Sequence, residues 1–352
     1  MAKKLMKGNE ALGEAAVQAG CRYFFGYPIT PQNEIPAYLA RRLPEVGGVF
    51  LQAESEVAAI NMVYGAAGAG ARVLTSSSSP GISLKTEGIS YIAGAQLPCV
   101  IVNIVRGGPG LGGIQPAQSD YFQATKGGGH GDYRLIVLAP STVQELVDLT
   151  MEAFDIADTY RNPVMILGDG IIGQMMEPVE FNPPKKRDLP EKTWATTGAK
   201  GRKPNVINSL HMAPEGLEKH NLMLQAKYQE IVEKETKYEM LQTDDAEIVL
   251  VAYGTTARIC KTVVQQLRKE GIKVGLIRPI TLWPYPEKAF NEVMDTAKAF
   301  LTVEMSTGQM VEDVRLAVNG RKPVHFYGRT GGMIPTPQEI AEKVRELAGG
   351  VK

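Results

Sequence analysis

The 352-residue sequence is poor in cysteine and balanced in charge, and each of these facts excludes a class of chemistry. Its 3 cysteines, Cys21, Cys99 and Cys260, stand far apart. No CxxC pair occurs, so the chain by itself offers neither a zinc site nor the thiolates of an iron–sulfur cluster. An odd, unpatterned set of thiols fits a reducing compartment, and the cytoplasm is the expected location. Basic and acidic residues number 38 each, a formal net charge of +0, so no nucleic-acid partner is expected. The basic start, Met-Ala-Lys-Lys-Leu-Met-Lys-Gly, lacks the apolar segment of a signal peptide, and no membrane span is expected. No GxGxxG follows an early strand, which argues against a stand-alone dinucleotide-binding oxidoreductase.

What is present reads as α/β. With 44% hydrophobic and 22% charged residues, the composition is that of a soluble globular protein, and the length suggests about two domains. The runs 49–51, 72–75, 99–104, 135–138 and 163–167 read as buried strands, separated by helical stretches such as 142–158. This alternation predicts a doubly wound, mainly parallel sheet with helices on both faces. From Glu177 to Asn205, prolines mix with Lys185, Lys186, Arg187, Lys200, Arg202 and Lys203, which reads as a linker that docks on the surface. A charged stretch, 215–241, reads as a helix. A second α/β unit follows, with strands at 248–252, 273–277, 300–303 and 324–327 and a helix over 257–270 that ends at Gly271. The expected division is 1–176, 177–245 and 246–352.

Three places in the first unit can carry chemistry. The run Gly26-Tyr27-Pro28-Ile29-Thr30-Pro31 closes an apolar strand, and its two prolines stiffen a turn that presents Thr30 where open α/β sheets bind ligands. Ser55 reads as a helix N-cap that places Glu56 in the first turn. Glu56 then heads a stripe with Ile60, Val63 and Ala67. Two readings stand: a carboxylate held against apolar surface for chemistry, or a helix-start glutamate that complements the dipole. Arg106 follows a strand and precedes Gly107-Gly108-Pro109-Gly110-Leu111-Gly112-Gly113, where a guanidinium can clamp a carboxylate or simply face solvent. His130, in the glycine-rich loop 127–133, is either a proton-transfer group or a loop residue without chemical role.

Two motifs invite other readings. Gly168-Asp169-Gly170 opens like the magnesium–diphosphate motif of thiamine enzymes, but Asn182 comes too soon and Asn205 too late to complete an oxygen shell. It reads as a strand end, and no metal site is expected on this chain. Ser76-Ser77-Ser78-Ser79-Pro80-Gly81 lacks the GxSxG turn of a serine nucleophile. It reads as a helix-opening loop whose N–H groups, Ser79 among them, can contact a cofactor.

In order, Tyr-Pro-Ile-Thr-Pro, Glu-Ser-Glu-x-Ala-Ala, Thr-Ser-Ser-Ser-Ser-Pro-Gly and Arg-Gly-Gly-Pro-Gly resemble the α-type subunit of 2-oxoacid:ferredoxin oxidoreductases. The resemblance covers nearly the whole chain. It implies a pyrimidine-type thiamine-diphosphate-binding fold followed by a transketolase C-terminal-like domain. It implies oxidative decarboxylation of a 2-oxoacid on thiamine diphosphate, with coenzyme A as co-substrate and ferredoxin as electron acceptor. The cofactor would be shared with a β-type partner subunit that holds the diphosphate and Mg2+. A γ-type subunit and a small ferredoxin-like subunit would complete the assembly, with [4Fe-4S] clusters on partner chains. That division matches the incomplete diphosphate motif and the missing cluster cysteines.

By motif position, Glu56 matches the glutamate that hydrogen-bonds the pyrimidine ring nitrogen and promotes the imino tautomer, whose nitrogen takes the thiazolium C2 proton. Its neighbour Glu54 is the only rival. Thr30 matches the threonine facing the substrate's oxo and carboxylate groups, and Arg106 the arginine pairing with that carboxylate. Tyr27, Pro28, Ile29 and Ser79 would complete the cofactor contacts. After Arg-Gly-Gly-Pro the chain continues Gly110-Leu111-Gly112-Gly113-Ile114-Gln115-Pro116, not the Ser-Thr-Gly-x-Pro-Thr of 2-oxoglutarate relatives. This and the 127–133 loop are most similar to the 2-oxoisovalerate branch, with 2-oxoglutarate or pyruvate as alternative substrates. A different class of reading is a structural subunit with a degenerate thiamine fold.

Overall fold

A computed structural model describes residues 3–350. In chain order the first half runs β1 (Lys4–Lys7), α1 (Gly8–Gln18), β2 (Tyr23–Gly26), α2 (Glu34–Glu45), β3 (Val49–Gln52), α3 (Glu56–Gly68), β4 (Val73–Ser77), α4 (Pro80–Gly94), β5 (Val100–Val105), α5 (Tyr121–Thr125), β6 (Ile136–Leu138), α6 (Val143–Tyr160), β7 (Val164–Asp169), α7 (Gly170–Gln174) and β8 (Met176–Val179). The remainder runs α8 (Pro214–Glu235), β9 (Tyr238–Leu241), β10 (Ile248–Val251), α9 (Gly254–Lys269), β11 (Val274–Pro279), β12 (Thr281–Trp283), α10 (Glu287–Val293), β13 (Ala299–Glu304), α11 (Met310–Val318), β14 (Val324–Gly328) and α12 (Pro337–Gly350).

The first sheet has seven strands in the order β12-β6-β7-β5-β4-β2-β3, and the second has five in the order β14-β13-β10-β11-β9. In the first, β12 is antiparallel to β6 and the other pairings are parallel. The period of two sends alternate residues of each central strand to opposite cores. On β5, Val100, Val102 and Ile104 join the core under α1, α2 and α6, while Ile101 and Val105 join the core on the other face. That second core also holds Val249, Val251, Phe300 and Met310, so a single apolar layer lies between the two sheets. Gln118 reinforces the contact: its Nε2 donates to the Tyr253 carbonyl at 2.9 Å, and its Oε1 accepts from Met305 N at 2.9 Å.

Two strands lie across the expected divisions. β9 pairs with β11 in the second sheet, and β12 pairs with β6 in the first. The helix expected over 215–241 ends at Glu235, because the next residues enter the ladder of β11 as β9. A lysine- and glutamate-rich stretch has good helix propensity, but pairing to a sheet edge overrides it here. The basic arm 185–203 is held to the first unit by charge. Arg187 pairs with Glu235 at 2.6 Å and Glu152 at 2.9 Å, Lys192 pairs with Asp158 at 2.6 Å, and the Arg161 guanidinium lies 4.4 Å from the Trp194 ring centroid.

Candidate active site

Strands β3, β2, β4 and β5 are adjacent and parallel, so the segments leaving their C-terminal ends converge on one edge of the sheet. Those segments contain Glu56, Thr30, Ser79 and Arg106.

The turn after β2 is pinned from several sides. Ala53 N donates to the Gly26 carbonyl at 2.9 Å, and Gln32 N to the Ile29 carbonyl at 3.1 Å. Asn9 Nδ2 donates to the Pro31 carbonyl at 2.8 Å, and Gln174 Nε2 does so at 3.2 Å. Gln32 is buried, and its Oε1 accepts from Ser76 Oγ at 2.5 Å, which ties the turn to β4. With the backbone anchored in this way, Tyr27, Pro28 and Thr30 are exposed and Ile29 is half-buried.

Glu56 begins α3. The Ser55 hydroxyl accepts from Ala58 N at 3.1 Å, and this cap sets the first turn. Glu56 is only 6% exposed, while Glu54 is exposed. Ile60, Val63 and Ala67 are buried on the same stripe. Helix α4 approaches α3 through glycines. A Cβ on Gly88 would lie 2.5 Å from Ile60 Cγ2, and one on Gly81 would lie 2.7 Å from Glu56 Oε1 and 2.1 Å from Ser77 Oγ. The Glu56 carboxylate has no hydrogen-bond or ion-pair partner among the described residues. The Ser77 hydroxyl, which meets the same Gly81 position, is buried and unpaired, as is that of Ser78. Buried polar groups are normally satisfied, so unpaired ones gathered at a sheet edge suit an incoming polar ligand. Residues of this kind fit the aminopyrimidine of thiamine, which offers both donors and acceptors.

Arg106 leaves β5 and is 7% exposed. Its Nη1 donates to the Thr30 carbonyl and its Nη2 to the Leu111 carbonyl, each at 3.1 Å, while its buried Nε has no partner. No carboxylate pairs with this guanidinium among the described residues, so it is a positive charge without a protein counter-ion. Ser79 holds its backbone: the Ser79 hydroxyl accepts from Arg106 N at 3.0 Å, and Ser79 N donates to Asn103 Oδ1 at 3.1 Å. Ser79 thus spends both donors and acceptors on protein. The first turn of α4 is the hub of the site, with Ser79 joined to Arg106 and Gly81 set against Glu56. Two cavities flank the Arg106 loop. One, about 710 Å³, is lined by Thr30, Ile114, Gln115, Gly170 and Ile334; the other, about 640 Å³, is lined by Ser79, Gly108, Asp120, Thr307 and Thr330. Glu56 lines neither.

The other candidates serve local structure. Asp169 caps α7, its Oδ1 accepting from Ile171 N at 2.8 Å and Ile172 N at 3.2 Å, and burial pushes its carboxyl above the usual range. His130 is exposed and lies beside Ser90, with Nδ1 and Oγ 3.3 Å apart. Ser90 is ten residues along α4 from Pro80, about 15 Å from the hub. No group of three or more His, Cys, Asp or Glu residues is arranged to hold a metal among the described residues.

Two polar residues of the site, Asp120 half-buried and Lys85 buried, escaped the sequence reading. Asp120 lies against Asn103, whose Nδ2 donates to it at 2.9 Å, and burial raises its carboxyl. Lys85 is fully buried, and its Nζ donates to Thr75 Oγ1 at 2.7 Å and to the Ser76 carbonyl at 3.0 Å. Helical spacing carried a signal for Lys85, which takes a place on the apolar face with Ile82, Ile89 and Ile92. Asp120 carried none.

A family model described as "Pyruvate flavodoxin/ferredoxin oxidoreductase, thiamine diP-bdg" matches residues 14–244, and one described as "Pyruvate:ferredoxin oxidoreductase core domain II" matches residues 246–340. The chain belongs to the 2-oxoacid:ferredoxin oxidoreductase family. It is 52% identical over 349 residues to ketoisovalerate oxidoreductase subunit VorB of Methanothermobacter thermautotrophicus, covering 99% of both chains. It is 38% identical over 369 residues to 2-oxoglutarate synthase subunit KorA of Methanothermobacter marburgensis, covering 96% of this chain and 97% of that one. Among solved structures it is similar to the 2-oxoglutarate:ferredoxin oxidoreductase of Magnetococcus marinus, solved with 2-oxoglutarate, coenzyme A and succinyl-CoA. The TM-score is 0.89 and the identity 27%, over 98% of this chain but 65% of that one. A split-gene transketolase shares the fold, with TM-score 0.61 and 14% identity over 97% of each chain. The fold is therefore the thiamine-diphosphate-binding α/β architecture followed by a transketolase-like C-terminal unit. No helix among the described residues is long and apolar enough to cross a membrane.

Proposed function

We propose that this chain supplies the pyrimidine-binding and substrate-carboxylate-binding half of a hetero-oligomeric, cytoplasmic oxidoreductase that converts a branched 2-oxoacid such as 3-methyl-2-oxobutanoate, coenzyme A and oxidised ferredoxin to acyl-CoA, CO2 and reduced ferredoxin. One observation carries the reading: the first turn of α4 holds together a buried carboxylate and a buried guanidinium, neither with a direct ion-pair partner among the described residues.

Thiamine diphosphate, when bound, supplies the thiazolium carbon that attacks the oxo group and takes up the electrons of decarboxylation. Glu56 holds a proton at the pyrimidine ring nitrogen, in a dry setting that strengthens the bond. Arg106 directs its remaining N–H groups to the substrate carboxylate, and two backbone carbonyls fix its plane. Thr30 faces the oxo group from the anchored turn, with Tyr27, Pro28 and Ile29 as its supporting wall. Ser79 positions Arg106. A β-type subunit brings the diphosphate and Mg2+. A γ-type subunit and a small ferredoxin-like chain bring the [4Fe-4S] clusters. The branched side chain is favoured by the exposed apolar residues of the Arg106 loop, Leu111 at 85% and Ile114 at 57%, and by the name of the 52% identical relative.

The test is a reconstituted complex carrying Glu56→Gln. Assembly and elution should be unchanged, while deuterium exchange at thiamine C2 should slow by about 100- to 10,000-fold. Exchange within a few-fold of the parent refutes the role of Glu56. A substrate panel in which 2-oxoglutarate or pyruvate has the higher kcat/KM refutes the branched-chain assignment.

A further inference from the structure

Helix α4 carries a lysine where its buried stripe calls for an apolar residue. Ile82, Lys85, Ile89 and Ile92 follow at spacings of three and four, and all four side chains are buried. An ammonium in such a place is costly unless it is held and balanced. Its two hydrogen-bond partners, Thr75 Oγ1 and the Ser76 carbonyl, are neutral. Strands β4 and β5 beneath it carry no titratable side chain. On α4 itself, Glu87 turns outward to accept from the Tyr91 hydroxyl at 2.5 Å. On α3, Tyr64 lies eight residues beyond Glu56, about 12 Å along the helix. Among the described residues, the charge that favours the Lys85 ammonium against its burial is that of Glu56.

The arrangement is reciprocal. Burial pushes Lys85 down to about 7, and Glu56 works against that shift. Glu56 in turn has no direct partner among the described residues and lies against Gly81, which precedes Lys85 by about one turn of α4. Lys85 has no exposed surface, so it can touch neither substrate nor cofactor and can act only through its neighbour.

We propose that Lys85 is a positioning residue for the thiamine site, its buried ammonium balancing the charge of Glu56 and keeping that carboxylate fit to hold a proton at the pyrimidine ring nitrogen. This rests on the assignment of Glu56 to the pyrimidine. It gives the site a dependence on pH: the balance is present while Lys85 is protonated and is lost as pH rises through neutrality.

The experiment measures the dissociation constant of thiamine diphosphate with Mg2+ for the assembled apo complex, from about pH 6 to about pH 9. Lys85→Gln keeps hydrogen-bond donors for Thr75 and Ser76 without the charge, and Lys85→Met removes both. The parent complex should bind more weakly as pH rises through about 7, the value to which burial brings Lys85. Both variants should bind about tenfold more weakly than the parent at the acid end, with that pH dependence gone. In a Glu56→Gln background, Lys85→Gln should cost nothing further. Three results overturn the proposal: variants that keep the parent's pH profile, a Lys85→Gln complex restored to parent affinity while Lys85→Met is impaired, or a full additional loss in the Glu56→Gln background. If Glu56→Gln alone leaves both affinity and C2 exchange at the parent level, the assignment of Glu56 fails first and the proposal falls with it.

Discussion

Replacing Gly81 by alanine adds one methyl group where the structure has no room for it, at the contact between the first turn of α4 and Glu56. The new Cβ would stand 2.7 Å from Glu56 Oε1 and 2.1 Å from Ser77 Oγ. Ordinary contact begins at 3.4 Å, so the carboxylate must retreat from 2.7 Å to 3.4 Å, about 0.7 Å, and the serine hydroxyl must rotate away. The backbone itself accepts alanine, because Gly81 is helical, and the helix gains up to about 1 kcal/mol by the exchange. Overpacking costs roughly 1–3 kcal/mol, so net stability should fall by no more than about 3 kcal/mol. The functional cost is larger. A hydrogen bond stretched by that distance is nearly lost, and misplacing a catalytic group by about 1 Å costs on the order of 100-fold in rate. Gly81→Ala should therefore slow thiamine C2 exchange by about 10- to 100-fold while the complex still assembles. The assay pairs deuterium exchange, followed by NMR after acid quench, with thermal unfolding of the same sample. Exchange within twofold of the parent in a folded complex would refute the claim that Gly81 exists to make room for the Glu56 carboxylate.

Two other outcomes follow from the buried charges. Arg106→Ala should raise KM for the 2-oxoacid by about 10- to 100-fold, since a hydrogen bond between charged groups contributes roughly 1.5–3 kcal/mol. Steady-state kinetics on the reconstituted complex measures it, and an unchanged KM and kcat would favour a structural subunit. Lys85 also couples stability to pH. Its folded value, about 7, lies below its ordinary 10.5, so between these limits the unfolded chain binds more protons and stability rises with pH. The penalty is fully present below about pH 7 and relieved toward pH 10.5, with an upper size of about 5 kcal/mol. Denaturant unfolding of the full chain should therefore show Lys85→Met gaining on the parent at low pH and losing that advantage at high pH. Lys227, which burial likewise brings to about 7, contributes equally to both chains and cancels. A stability difference independent of pH would refute the buried-ammonium reading.

Local chemistry made much of the fold legible in the sequence. Apolar runs marked β3, β5, β7, β10, β13 and β14; β5, β7, β10 and β13 are buried at every position, as strands covered on both faces are, whereas β3 and β14 are partly exposed. Ser55 was recognisable as a cap because only a short polar side chain reaches the orphan N–H two or three residues on. The strands missed were β1, β8, β9 and β12, each of three or four residues at a sheet edge or in a ribbon. Such strands form because a partner edge is available, which local propensity does not record. Lys85 was visible as an interruption of an apolar stripe, yet nothing local said that the stripe faced Glu56.

From sequence alone came the α/β class, the family, and the residue types at the end of each strand: the threonine on its proline-braced turn, the glutamate after a serine cap, and the arginine before a glycine loop. Each is decided within a few residues by backbone sterics and capping. Only the tertiary structure decided that these ends meet at one edge, that Ser79 and Gly81 of a single helix turn join Arg106 to Glu56, and that Lys85, further along the same helix, is fully buried. Strand order, helix crossing and the depth at which a charge is buried are set by contacts between residues far apart in the chain, and no short window of sequence contains them.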